Sequence, residues 1–211
     1  MPLTYFDVST ATDPGTTLIR FANVALGAHR RFSHEATSGT VALDVAIPTG
    51  WVPGDIDPTE QDYIRLAFRT SAAAHGGRRL WLWTPERLSF VASGGVSHRL
   101  AEIVDIFADA AIASLIPVGD EGTDVDLFVE AAIGGAWVVP NLLRLGLQLQ
   151  LAWLPTGAGD TLQTSLELFG RVWLDQLFVA LGFTMNLDEP AGFAFDTMGV
   201  WGLHVGVGSR F

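Results

Sequence analysis

The sequence predicts an all-β fold: one closed, antiparallel, up-and-down transmembrane β-barrel spanning residues 1–211, with about 12 strands and about 10 as the alternative. Three observations predict it. Apolar and polar residues alternate with a period of two along much of the chain, which puts them on opposite faces of strands. Several runs hold this alternation for 11 to 13 residues. A soluble strand usually takes about 5 to 6, and a tilted strand crossing a bilayer needs about 9 to 11. Finally, one face of each run is mostly Leu, Val and Ile, while the other carries Arg, Asp, Glu and Gln at mid-strand.

Composition narrows the field. With 49 % hydrophobic and 17 % charged residues the chain is too apolar for disorder. A net charge of −11 argues against nucleic acid, whose phosphates require a basic patch. The absence of cysteine removes disulfides, thiol catalysis and zinc–thiolate sites. Mean hydropathy is +0.33, yet the longest apolar stretch, residues 131–143, is broken by two glycines, Pro140 and Asn141. A spanning helix requires roughly 18 apolar residues. The hydrophobicity therefore has to sit in strands.

In chain order, residues 3–9 and 16–31 make the first two strands, with the poorest alternation around Arg20 and Asn23. Val41, Leu43, Val45 and Ile47 define a strand at 37–48, and Ile64, Leu66 and Phe68 opposite Arg65 and Arg69 define one at 62–74. Up-and-down parity then asks for a pair before residue 101. Residues 79–83 and 88–92, hinged at Thr84-Pro85-Glu86, supply it. Val104, Ile106, Ala108, Ala110 and Ile112 stand opposite Asp105 and Asp109 in a strand at 101–116; Val125, Leu127, Val129, Ala131 and Ile133 stand opposite Asp126 and Glu130 at 123–138. The clearest alternation follows at 140–154, where Leu143, Leu145, Leu147, Leu149, Leu151 and Trp153 enclose Arg144, Gly146, Gln148 and Gln150. Strands at 160–174, with Leu166 and Leu168 against Glu167 and Arg171, at 176–187, with Val179 and Leu181, and at 197–211 complete the set.

Turn chemistry separates two rims. Ile47-Pro48-Thr49-Gly50, Ile116-Pro117-Val118-Gly119 and Leu154-Pro155-Thr156-Gly157 each end a strand and open an acidic loop, containing Asp55, Asp57, Glu60 and Asp62; Asp120, Glu121 and Asp124; and Asp160. Tight turns at Pro140 and Asp175 mark the other rim, the asymmetry expected of membrane barrels. Trp51, Trp137, Trp153, Trp173, Trp201 and Phe211 lie near strand ends, where amphipathic rings form interfacial girdles. In a soluble protein the same rings would fill a core.

The last strand carries Trp201, Leu203, Val205, Val207, Ser209 and Phe211 on one face and His204 on the other. An apolar alternating strand ending at a C-terminal aromatic resembles the closing strand and assembly signal of bacterial outer-membrane barrels, which assigns that role to Phe211. The resemblance implies the outer membrane as location, and its lipid, lipopolysaccharide and the barrel-assembly machinery as partners. The chain opens Met1-Pro2-Leu3-Thr4-Tyr5, with neither a basic start nor an apolar segment of signal-peptide type. The barrel reading therefore takes it as a mature chain.

Two sets of residues follow from the inversion of faces. Leu143, Leu145, Leu147, Leu149, Leu166, Leu168, Val179, Leu181, Leu203 and Val205 face lipid. Arg65, Arg69, Asp105, Asp109, Asp126, Glu130, Arg144, Gln148, Gln150, Glu167, Arg171 and His204 line a lumen, where charged groups sort solutes by sign or neutralise one another in a filled barrel. No nucleophile elbow, metalloprotease motif, phosphate loop or dinucleotide fingerprint is present. His204 lacks a serine on its own face, since Ser209 has the opposite parity, so no enzyme is expected. Asp120-Glu121-Gly122-Thr123-Asp124-Val125-Asp126 places oxygens at alternate positions but lacks the rest of a calcium loop, and reads as a solvated acidic loop. Neither a metal nor a cofactor is implied.

The segment Val41-Ala42-Leu43-Asp44-Val45-Ala46-Ile47-Pro48-Thr49-Gly50, followed by an acidic loop, is similar to the strand-Pro-Thr-Gly signature of the outer-membrane family associated with meta-pathway phenol degradation. That family comprises transporter barrels without catalytic residues, and the resemblance implies neither a site nor a substrate. The expectation is a pore or passive transporter for small solutes, tuned by the lumen charges and the 48–62 loop. A soluble β-sandwich or barrel holding a ligand between its sheets is the second expectation. An outer-membrane acyl-chain enzyme is the third.

Overall fold

A computed structural model of the chain describes residues 3–10, 13–50, 52, 57–118, 124–157, 161–188 and 201–209. The fold is all-β, dominated by one antiparallel sheet of nine strands. Its strands are β3 (Val24–His34), β4 (Thr37–Ile47), β5 (Arg87–Ala101), β6 (Val104–Pro117), β7 (Asp126–Val139), β8 (Leu143–Trp153), β9 (Leu162–Leu174), β10 (Leu177–Asn186) and β11 (Trp201–Ser209). Each pairs with its neighbour in sequence, an up-and-down meander. Ahead of it, β1 (Leu3–Thr10) and β2 (Asp13–Phe21) form a separate hairpin. Among the described residues β3 and β11 do not pair with each other, so the sheet is open at its two edges.

Tight connections on one rim place Glu35, Asn141 and Asp175 at φ 50°, 60° and 57°. Asn and Asp tolerate this left-handed conformation better than most residues. The opposite rim carries the long connections, and the longest of them is helical. Two of the expected strands lie in it. Residues 62–74 belong to helix α1 (Pro58–Ala74), and 80–83 of the expected strand at 79–83 form the single turn α2 (Leu80–Trp83). Asp57 caps α1 by accepting from the Thr59 N–H at 2.8 Å, with Pro58 next and Glu60 in the first turn. Ile64, Ala67, Phe68, Ser71 and Ala72 then bury one face at helical spacing. That spacing overrides the brief Ile64, Leu66, Phe68 alternation and leaves Leu66 exposed. Ahead of α2, Gly76, Gly77 and Arg79 take positive φ, a geometry no strand accommodates.

The expected strand at 16–31 is two strands, β2 and β3, divided at Ala22 and Asn23, both fully buried. The connection holding both helices joins the adjacent antiparallel strands β4 and β5, so it leaves and returns on one rim and the strand directions downstream are as expected. Along β8, Leu145, Leu147, Leu149, Leu151 and Trp153 are exposed while Gln148, Gln150 and Ala152 are buried. The sheet thus turns its polar face inward. The small apolar core sits between that face and the helical segment: Trp81 packs edge-on against Phe128 at 5.9 Å beside Val91, Leu115 and the alanines 46, 111, 113 and 152.

Candidate functional site: the polar interior

The helical segment is tied to the inner face of the sheet by polar contacts at both of its edges. Asn23, just before β3, donates from Nδ2 to the carbonyls of Trp81 at 2.9 Å and Thr84 at 2.7 Å. Its Oδ1 accepts from the Gly50 N–H at 3.1 Å, and its own N–H reaches the Leu82 carbonyl at 2.8 Å. At the far edge, Asn186 of β10 donates to the Ala73 carbonyl at 2.9 Å. A Cβ at Gly202 of β11 would collide with the Ala74 carbonyl, so glycine permits that approach. Between these edges the Arg79 N–H donates to Glu130 Oε2 at 2.6 Å, and Ser165 Oγ donates toward the Gly76 carbonyl at 3.4 Å. One segment touching both ends of a nine-stranded meander requires the sheet to wrap round it.

His75, at the C-terminal end of α1, sits against Trp83 and His204, with ring centroids 4.7 Å and 4.2 Å away. Its Nδ1 donates to the Ser71 carbonyl at 2.8 Å. Burial, reinforced by the neighbouring His204, lowers its pKa from 6.5 to about 4 and keeps the ring neutral. His204 in turn meets Thr184 Oγ1 at 3.1 Å.

Toward the short-turn rim the interior opens into a cavity of about 720 Å³, roofed by His75, Arg78 and Trp83. Its carboxylates are engaged. Asp109 pairs with Arg78, which also lies 3.8 Å from Glu130. Glu167 accepts from Gln148 at 2.6 Å and from Gln150. Asp105, nearer the short-turn rim on the strand of Asp109, is held by Arg99 at 3.0 Å. Arg144 lies over the rings of Phe107 and Phe169, 5.2 Å and 5.8 Å from their centroids. Arg171 lies over Phe178 at 4.5 Å and Trp173 at 5.9 Å.

Of the twelve expected lumen residues, ten lie on strands. Asp105, Glu130, Gln148 and Gln150 are buried inward; Asp109, Arg144, Glu167 and His204 are half-buried and line the cavity. Asp126 closes the long-loop end through Arg87 at 2.7 Å and Thr156 at 2.9 Å, and Arg171 stands exposed near the short-turn rim. Arg65 and Arg69 require correction, because their strand is helix α1. Arg65 pairs with Asp62 at 3.5 Å on the helix, and Arg69 is exposed. Of the outward set, Leu145, Leu147, Leu149, Leu168, Val179, Leu181, Leu203 and Val205 are exposed, while Leu143 and Leu166 are half-covered by neighbours. Phe211, Trp51 and, from the acidic loops, Asp55, Asp120, Glu121 and Asp160 lie outside the described residues.

The residues that alternation alone does not find are Asn23, His75, Arg78 and Asn186. A glycine pair between His75 and two arginines is the one local cue to an ordered internal turn. Pro48-Thr49-Gly50 also has a local role, since Thr49 Oγ1 donates to the Ala22 carbonyl at 2.8 Å and Gly50 donates to Asn23. Among the described residues no group of three or more His, Asp or Glu converges as a metal site. A scan against family models matches none, and a search of curated proteins finds no match.

Proposed function

We propose that this chain is a β-barrel of the bacterial outer membrane, acting as a narrow pore or passive transporter for small solutes. The sheet closes into a barrel there, with lipid and lipopolysaccharide round it and the assembly machinery as its folding partner. The observation that carries this reading is the inverted sheet: leucine and valine exposed outward, amides and ion pairs inward. Water does not stabilise that arrangement, because contiguous exposed apolar surface beyond a few hundred Å² drives association. A bilayer does stabilise it, and long strands are the lengths a bilayer demands.

The internal segment makes a wide channel unsuitable and leaves a constricted path past His75 and Arg78. The experiment is bilayer conductance of the folded full chain, with heat-modifiable gel mobility as the fold check. Small conductance is expected, rising several-fold when residues 58–83 are replaced by a short Gly-Ser linker. A heat-modifiable barrel that conducts in neither form overturns the pore. A chain that is monodisperse without detergent overturns the membrane reading and favours a soluble ligand-binding barrel.

A further inference from the structure

Arg144 and Arg171 stand directly opposite each other on β8 and β9. Like charges in that relation repel, with Cβ atoms about 5 Å apart. Asp105 offsets part of the Arg144 charge from a distance, but its direct partner is Arg99. The carboxylates of the inner wall, Asp105, Asp109, Glu130 and Glu167, are each held by other partners. No ion pair reaches Arg144 or Arg171 among the described residues, and Arg144 Nε is buried without a hydrogen-bond partner. What each guanidinium does have is an aromatic ring: Phe107 and Phe169 for Arg144, Phe178 and Trp173 for Arg171. A ring covers the flat face of a guanidinium and leaves the N–H edge for a ligand, and that edge matches the two oxygens of a carboxylate.

We propose that the Arg144–Arg171 pair is an anion subsite of the cavity, which binds a small carboxylate with an apolar body. The carboxylate bridges the two guanidinium edges and relieves their repulsion. Its apolar body lies against Phe107 and Phe169, whose rings meet edge-to-face at 5.7 Å. The assignment rests on the reading of this face as the lumen and names the solute class that lumen selects.

Isothermal titration of benzoate into the detergent-folded full chain tests it, with benzamide as the neutral isostere. Saturable benzoate binding is expected, weakened at high salt, with benzamide at least tenfold weaker. Arg144→Gln with Arg171→Gln should weaken benzoate at least tenfold while heat-modifiable mobility is retained. Should the double variant lose that mobility, Arg171→Gln alone carries the test, since this exposed side chain makes no hydrogen bond among the described residues; a loss of threefold or more is expected. Absence of saturable benzoate binding, equal binding of benzamide, or unchanged affinity in the folded variant overturns the subsite. Failure of the pore reading is separate: a protein that binds benzoate but conducts nothing keeps the subsite and loses the transport role.

Discussion

Asn23 joins three stretches of chain that are distant in sequence. Its amide satisfies the carbonyls of Trp81 and Thr84 and the N–H of Gly50, while the residue itself has no exposed surface. Leaving such buried groups unpaired costs about 1–3 kcal/mol each, more than the net gain from an ordinary hydrogen bond. Asn23→Ala should therefore destabilise the fold by about 3 kcal/mol or more, read as a lower midpoint in heat-modifiable gel mobility. Asn23→Asp keeps the acceptor for Gly50 but sets a buried carboxylate oxygen against the Trp81 and Thr84 carbonyls, and should destabilise at least as much. None of this is visible in the sequence, where Asn23 interrupts alternation and so reads as a flaw in a strand. Polar residues that serve as hubs have no period. By contrast Gln148, Gln150 and Glu167 are legible, because a neighbouring leucine on each side declares which way they point.

Helix α1 and the turn that follows it show where short patterns mislead. Ile64, Leu66 and Phe68 alternate, but three members fit a strand and a helix alike, and the longer spacing of Ile64, Phe68, Ser71 and Ala72 decides for the helix. The Asp57-Pro58-Thr59-Glu60 start is itself a sequence-level cue of helix entry, one that parity counting passes over. The seating of this element depends on pH through His75. Its folded pKa of about 4 lies below the ordinary 6.5, so the folded state binds fewer protons than the unfolded state between those values. Stability from the neutral ring is complete above about pH 6.5 and is lost as pH falls through 4. Its size is on the order of 2–3 kcal/mol. Acidification from pH 7 to 4 should accordingly loosen the segment and speed proteolysis within residues 58–83, and His75→Phe should flatten that dependence.

For the molecule as a whole, the sidedness of the sheet is the most legible property of the sequence. Alternation sustained over a dozen residues specifies faces without any knowledge of neighbours, and exposure of Leu145, Leu147 and Leu149 beside buried Gln148 and Gln150 agrees with it. What alternation does not specify is the content of the interior, because the segment occupying it obeys helical spacing. The sidedness has a sharp test in Leu147→Arg. In a bilayer an arginine at the midplane costs about 2–4 kcal/mol, so folding into vesicles should drop in yield and stability. On a water-exposed surface the same change should stay within about 0.5 kcal/mol.

Strand number carries a last implication. Nine antiparallel strands in sequence leave β3 and β11 pointing the same way. A direct joint between these margins would be a parallel one, with slanted hydrogen bonds less stable per residue than the eight antiparallel ladders. Such a joint would be the weakest line round the circumference. Lateral parting of such a joint under heat would begin beside His204 and Asn23, the two places where the margins already grip the same internal segment.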